Sequence, residues 1–281
     1  MPVIALTQGM GSLAQDIAEQ LAKELGLTTL QHEVAERVAN KMNVSKSLIS
    51  RLRAGKAGPI ERLTADRESM AVYSAEEVLE AAAGGNVVLR GWGATCLLRP
   101  VPHVPCIRIM RPFAKRVEWL MRELDTDDIE LAENEIKRSD HANASRMHEQ
   151  FGVDWGDPVL FDLVLNTDRL SVDTCVAQIR ALLARPEFAE TAASQALLQG
   201  MALSARVRAA LKGHEETESV DVTIDSVVDS TGGTVTLRGI VVKASERDAA
   251  EAVAAAVSGV AAVDNQLRVM ASSRLFTYSK T

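Results

Sequence analysis

The sequence has too few cysteines for a disulfide framework, no long apolar run and no surplus of positive charge. Three cysteines, Cys96, Cys106 and Cys175, stand in 281 residues. Their spacing matches no metal-ligand pattern, and an odd number argues against paired bridges. They read as reduced thiols. The five histidines, His32, His103, His141, His148 and His214, also lack metal-ligand spacing. No stretch approaches the ~18 uninterrupted apolar residues that suggest a membrane-spanning helix. Met1-Pro2-Val3-Ile4-Ala5-Leu6-Thr7 has neither the charged nor the long apolar region of a signal peptide. Cytoplasmic residence is the expectation. The formal net charge is −7, so no overall basic field exists to draw nucleic acid or anionic lipid.

What is present is ordinary for a folded protein: 47% hydrophobic and 25% charged residues. The length allows one large domain or two, and slightly favours two. Val3-Ile4-Ala5-Leu6 is a short apolar run ending in Thr7-Gln8-Gly9-Met10-Gly11-Ser12. Leu13, Ile17, Leu21 and Leu25 then recur at helical spacing up to Gly26, which makes a strand, a glycine turn and an amphipathic helix. Residues 33 to 53 read as further helix. Asn86 to Leu89, Cys106 to Met110 and Phe161 to Asn166 are further buried strands. Helices are expected from about Pro112 to Leu124, after an Asp127 cap with Glu130 three residues on, and over residues 171 to 184. Strands alternating with helices predict a mostly parallel sheet covered on both faces.

After Pro186 the texture changes. An alanine-rich helical tract from about Ala189 to Leu211 precedes the alternating strand Val220 to Ile224. Gly232-Gly233 turns the chain into a strand over residues 234 to 242. A helix at about 245 to 257 and a final strand from Asn265 to Met270 complete a smaller α+β module. The expected organisation is 1–188 for the first domain, 189–201 for a helical linker, 202–272 for the second domain and 273–281 for a tail.

A turn from a buried strand into a helix N-terminus is a natural phosphate site. The first helix amides there lack partners, and the helix dipole favours anions. A full Walker loop adds a lysine for the phosphates and a Ser/Thr for magnesium. This loop offers Gly9, Gly11 and Ser12, but neither addition. Alone, such a turn also serves simply to hold strand against helix.

The wider chain narrows the choice. Residues 3 to about 184 resemble the cytidylate kinase-like family of P-loop proteins. The resemblance rests on the glycine loop with Ile17-Ala18-Glu19-Gln20-Leu21-Ala22, on Val87-Val88-Leu89-Arg90-Gly91-Trp92-Gly93-Ala94, and on Asp154-Trp155-Gly156-Asp157-Pro158. Phe161-Asp162-Leu163-Val164-Leu165-Asn166-Thr167 is its most specific part. The fold it implies is a P-loop kinase-like parallel sheet with helices on both faces and a lid over the phosphates.

The departures bear on activity. The family's loop carries further glycines where this chain has Leu13 and Ala14. The second glycine segment has Trp92 where an arginine is common, and Asn143 replaces a lid arginine in Ser139-Asp140-His141-Ala142-Asn143. His32 stands where an aspartate is frequent. The cations Arg108, Arg111, Lys115, Arg116, Arg122, Lys137, Arg138 and Arg146 would close over a triphosphate, or would form a solvated, salt-bridged helix surface. Arg116 best matches a family arginine. The candidate phosphate-binding set is Gly9, Gly11, Ser12, Gln15, Asp16, Arg90, Arg116, Arg138 and Arg146. The candidate acceptor set is Arg51, Arg53, Arg62 and Trp92, within or near a basic stretch over residues 36 to 67. Val44 to Leu52 also has the look of a DNA recognition helix, against which the acidic chain argues.

ATP and Mg²⁺ are the cofactors that the resemblance implies, and a nucleotide or phosphorylated small molecule is the implied partner. Phosphoryl transfer rests on positioning and charge neutralisation, and one well-placed arginine is worth roughly 10³–10⁵ in rate. The missing lysine therefore points to a regulatory or pseudokinase role, with an active phosphotransferase as the alternative.

From about Ala202 to Met270 the chain resembles a BON domain. The resemblance is carried by Ala205-Arg206-Val207-Arg208-Ala209-Ala210-Leu211, Gly233-Thr234-Val235-Thr236-Leu237-Arg238-Gly239 and Ser258-Gly259-Val260-Ala261-Ala262-Val263-Asp264-Asn265-Gln266-Leu267. It implies two helices on a three-stranded sheet and association with phospholipid surfaces or ligand-dependent interactions. Fused to a kinase-like domain, it suggests a regulatory or assembly role through a protein partner or self-association, with a packing domain that aids oligomerisation as the alternative. The residues themselves show no catalytic constellation.

Overall fold

The computed structural model describes residues 1–229 and 232–270. The 273–281 tail and the last residues of the 202–272 module lie outside the described residues. The chain divides into two compact units, one of Met1–Leu198 and one from Gln199 on.

The first unit opens with β1 (Val3–Gln8), which is buried along almost its whole length. α1 (Ala14–Leu25) follows the glycine loop and ends at Gly26, whose φ of 67° is the left-handed cap that glycine adopts at little cost. A three-residue strand, β2 (Thr28–Leu30), comes next. The stretch over 33 to 53 is not one helix. It breaks into α2 (His32–Lys41) and α3 (Lys46–Arg53), because Asn43 takes a φ of 54° and Ser45 caps the second helix through the Leu48 amide. α4 (Pro59–Thr64) and α5 (Arg67–Gly84) complete this helical insert.

β3 (Val87–Arg90), α6 (Ala94–Leu97), β4 (Cys106–Met110) and α7 (Phe113–Glu123) follow in order. α8 (Ile129–Phe151) is capped by Asp128 rather than Asp127: the Asp128 carboxylate accepts from the Leu131 amide, while Thr126 Oγ1 accepts from the Asp128 amide. β5 (Leu163–Asn166) and α9 (Val172–Leu183), capped by Ser171, close the unit.

The five strands are all parallel and lie in the order β2-β3-β1-β4-β5. Alternation sends Ile4 and Leu6 of β1 into one core with Ile17 and Leu21 of α1, Ile107 and Ile109 of β4, and Ile179 of α9. Val3, Ala5 and Thr7 therefore face the other side. β1 is central, with β3 and β4 as neighbours. The loops leaving β1 and β3 emerge side by side at the carboxyl edge, where open parallel sheets bind ligands. The Gly91 amide donates to the Leu6 carbonyl at 2.9 Å and fixes that adjacency.

In the second unit α10 (Ala192–Lys212), which begins before the division, supplies Leu203, Val207 and Leu211 to a separate core. β6 (Val222–Asp229) and β7 (Gly232–Val241) pair antiparallel; α11 (Ala244–Ala255) then leads to β8 (Val260–Val269), parallel to β7. β8 starts five residues before the expected strand. Val260-Ala261-Ala262-Val263 is weak in strand character, but β7 offers a full ladder for it to pair with.

Candidate functional site

The glycine loop turns tightly between β1 and α1. The Ser12 amide donates to the Gly9 carbonyl at 3.3 Å, Gly11 has a φ of 77°, and Leu13 has a φ of 61°. A branched residue in the left-handed region is strained by roughly 1–2 kcal/mol. The neighbouring fold thus imposes on Leu13 a conformation suited to glycine. From β5, Thr167 Oγ1 donates to the Ser12 carbonyl at 2.9 Å and pins the loop. The sequence reading missed this anchor, although its signal was visible as the threonine closing the Phe161 to Thr167 motif.

A cleft of about 360 Å³ opens beside the loop, lined by Gly9, Ser12, Arg108, Arg111, Arg116, Asp140, His141, Asp154, Trp155 and Gly156. Arg116 dominates it. Its Nε donates to the Met10 carbonyl at 2.6 Å, and its Nη atoms donate to both Asp140 oxygens at 2.9 and 2.7 Å. A Cβ built on Gly9 would meet the Arg116 guanidinium carbon at 2.9 Å. The guanidinium therefore lies directly over Gly9. Ser12 is 2% exposed, and its hydroxyl has no partner among the described residues.

A second cleft of about 600 Å³ lies between the helical insert and α8, with Leu52, Arg62, Met70, Arg138, His141 and Arg146 among its lining. His141 borders both clefts. Arg62 donates to the Gly55 carbonyl at 2.7 Å, and Arg138 pairs with Glu135. The loop after β3 winds through three successive left-handed residues, Gly91, Trp92 and Gly93. The turn buries Trp92, whose indole donates to the Gln31 carbonyl at 2.7 Å. The Arg53 guanidinium stacks on that indole, 3.4 Å from the ring centroid. Arg146 donates to the Arg53 carbonyl and to Asn143.

Neither Arg53 nor Arg146 has a carboxylate in ion-pair contact among the described residues. Burial, and then the charge of Arg146, hold the Arg53 pKa well below its ordinary value. Burial lowers that of Arg146 too, against the opposing pull of Glu149. Two buried like charges at one spot are costly unless an anion joins them.

The structure thus brings Arg53, Trp92 and Arg146 together, and separately Gly9, Gly11, Ser12 and Arg116. Other candidates lie apart. Gln15 and Asp16 are on the exposed side of α1, where Gln15 donates to Glu19. Arg51 is ion-paired with Glu61 and hydrogen-bonded to Ser47. Arg90, on β3, borders neither cleft; burial lowers its pKa, against Glu19 and Asp16. In the stretch Val44 to Leu52, Lys46 pairs with Glu36 and Arg51 with Glu61. Among the described residues, no cluster of His, Cys, Asp or Glu could hold a metal ion by itself. Nor is any described helix long and apolar enough to cross a membrane.

A five-stranded parallel sheet with a glycine loop after its central strand and a cation-lined cleft above it defines the P-loop kinase-like class. The chain belongs to the cytidylate kinase-like family, whose model matches residues 3–169, and a BON domain matches residues 202–271. The cytidylate kinase of Staphylothermus marinus is 27% identical over 158 residues, spanning 55% of this chain and 88% of that protein. That of Pyrobaculum islandicum is 29% identical over 177 residues, spanning 63% and 89%. An uncharacterised protein from Eubacterium ventriosum has a similar fold, with a TM-score of 0.52 at 18% identity over 66% of this chain and all of that one.

Proposed function

We propose that the first unit binds a nucleotide and acts chiefly as a regulatory, nucleotide-responsive element rather than as an efficient kinase. One observation carries this reading. The loop retains the backbone of a phosphate cradle, while Arg116, locked to Asp140, occupies the space over Gly9 and no loop lysine is present. Backbone amides and the unpartnered Ser12 hydroxyl suit a phosphate chain, so binding survives the loss of the lysine. Magnesium usually arrives on substrate phosphates and takes one or two carboxylates; Asp154 borders the same cleft as Gly9 and Ser12 and suits that part. A bound magnesium ion would neutralise phosphate charge. Arg53 and Arg146, with Trp92 beneath, suit the phosphate of a second nucleotide.

The second reading, an active phosphotransferase, is favoured by the relatives named as cytidylate kinases and by the two clefts meeting at His141. A calorimetric titration of the full chain with ATP, with and without Mg²⁺, paired with a transfer assay to CMP, separates the two. Micromolar ATP binding with negligible transfer supports the regulatory reading. Turnover of 1 s⁻¹ or more, about the lower end for kinases, overturns it. The BON unit is assigned to protein association or self-association.

A further inference from the structure

Arg108 sits on a buried strand, where an arginine is out of place. β4 reads Cys106-Ile107-Arg108-Ile109, four buried residues in a row, and Arg108 is only 8% exposed. It stands opposite Thr7 in the ladder between β1 and β4, two residues before Gly9. Its Nη1 donates to the Trp155 carbonyl, and its guanidinium carbon lies 4.5 Å from the Trp155 ring centroid and 5.4 Å from that of Phe161. The Trp155 indole in turn donates to Thr7 Oγ1 at 3.0 Å, which fixes the platform against β1.

The platform holds the cation but does not neutralise it. Arg108 makes no ion pair among the described residues, and its Nε is buried without a partner. Asp140 and Asp154 both pull on the Arg108 charge, but Asp140 is engaged by Arg116 and Asp154 accepts from the Gly156 amide at 2.7 Å. Arg108 shares its cleft with Gly9 and with the buried, unpartnered Ser12 hydroxyl. A donor-rich cation and an orphaned hydroxyl beside a glycine loop are complementary to one ligand chemistry, a chain of phosphates.

We propose that Arg108, delivered from β4, supplies the cation that the phosphate loop itself lacks, and that it contacts the phosphate chain of the bound nucleotide. This rests on the nucleotide-binding reading above. Its place in sequence explains how it escapes a loop-based search: the charge comes from the adjacent strand, about a hundred residues after the loop. The mechanical consequence is that the phosphates lie against β4 and Trp155, on the side of the loop facing α8.

The test titrates the full chain and its Arg108→Gln and Arg108→Lys variants with ATP, inorganic tripolyphosphate and adenosine. Glutamine retains a donor for the Trp155 carbonyl but no charge; lysine retains charge. The expected result is a loss of about 10- to 100-fold in ATP and tripolyphosphate affinity for Arg108→Gln. Arg108→Lys should recover most of it, with adenosine binding unchanged in both. Equal tripolyphosphate affinity in Arg108→Gln and the parent overturns the assignment, as does a parallel loss for all three ligands. A parent chain that binds none of them overturns the nucleotide-binding reading as well. A second measurement is independent of Arg108 variants folding. In a Trp92→Phe, Trp119→Phe background, tripolyphosphate should change the emission of Trp155; unchanged emission at saturating tripolyphosphate overturns the contact.

Discussion

Arg116 and Asp140 face each other across α7 and α8 in a two-pronged ion pair that closes over Gly9. The acid competes with any phosphate for the same guanidinium. Asp140→Asn should therefore raise ATP affinity severalfold while lowering stability by about 1–3 kcal/mol, because the mostly buried Arg116 loses its counter-ion. Calorimetry and thermal melts on the variant test both halves. Weaker ATP binding together with lower stability would show that Asp140 positions Arg116 for the ligand instead of withholding it.

Leu13 holds a backbone conformation suited to glycine. Leu13→Ala and Leu13→Gly both remove the isobutyl group, but only the second relieves the φ of 61°. Leu13→Gly should be more stable than Leu13→Ala by roughly 1 kcal/mol or more. Equal denaturant midpoints for the two would argue that the loop relaxes when the side chain is removed.

Arg53 and Arg146 are half-buried cations without an ion-paired acid among the described residues, and Arg53 is stacked on Trp92. A nucleoside monophosphate at about 100 times its dissociation constant should stabilise the protein by about 2.7 kcal/mol. Arg53→Met keeps the packing against Trp92 and removes one of the repelling charges. The variant should melt no lower than the parent without ligand, yet lose most of the ligand-induced rise. Thermal scans with CMP and AMP read this directly.

Burial pushes the Cys106 thiol up to about 12 and raises Cys175 and Cys96 as well. A thiol kept neutral by folding ionises first in the unfolded chain. Its contribution is therefore intact below the unfolded value of about 8.5 and is lost as pH rises toward 12. Stability should decline over that window, and Cys106→Ala should flatten the decline. Native thiols should also react slowly with iodoacetamide at pH 8, all three becoming reactive in denaturant.

Gly233 of β7 lies under α10, where an added Cβ would meet Leu203 Cδ2 at 2.1 Å and the Gly259 carbonyl at 2.8 Å. Gly233→Ala should destabilise the second unit by about 1–3 kcal/mol. With two compact units, calorimetry should show one melting transition shifted and the other unmoved. A uniform shift of both would mean that the units unfold as one.

Much of the fold was legible because its signals are local. The run Val3 to Leu6, the glycine turn and the leucines of α1 prescribe a strand, a loop and a helix through side-chain period alone. Elements with no local signal were not legible. β2 is three residues long and exists because Thr28 to Leu30 can pair with β3. The first half of β8 forms because β7 offers its edge. The α8 cap fell one residue beyond its expected place, a choice between two adjacent aspartates that backbone geometry made.

The sequence by itself determined the family and the absence of a lysine from the glycine loop, and it placed a change of texture after Pro186. It could not say which of its many arginines carry free charge. In the sequence nothing says which of Arg51, Arg53, Arg108, Arg116 and Arg138 will meet an acid in space. Packing separated them, giving Arg51 to Glu61, Arg116 to Asp140 and Arg138 to Glu135, while leaving Arg53 and Arg108 on aromatic rings with no ion pair among the described residues. The reason is physical. An ion pair depends on separation in space and on the local exclusion of water, and neither quantity exists until strands and helices distant in sequence have come together.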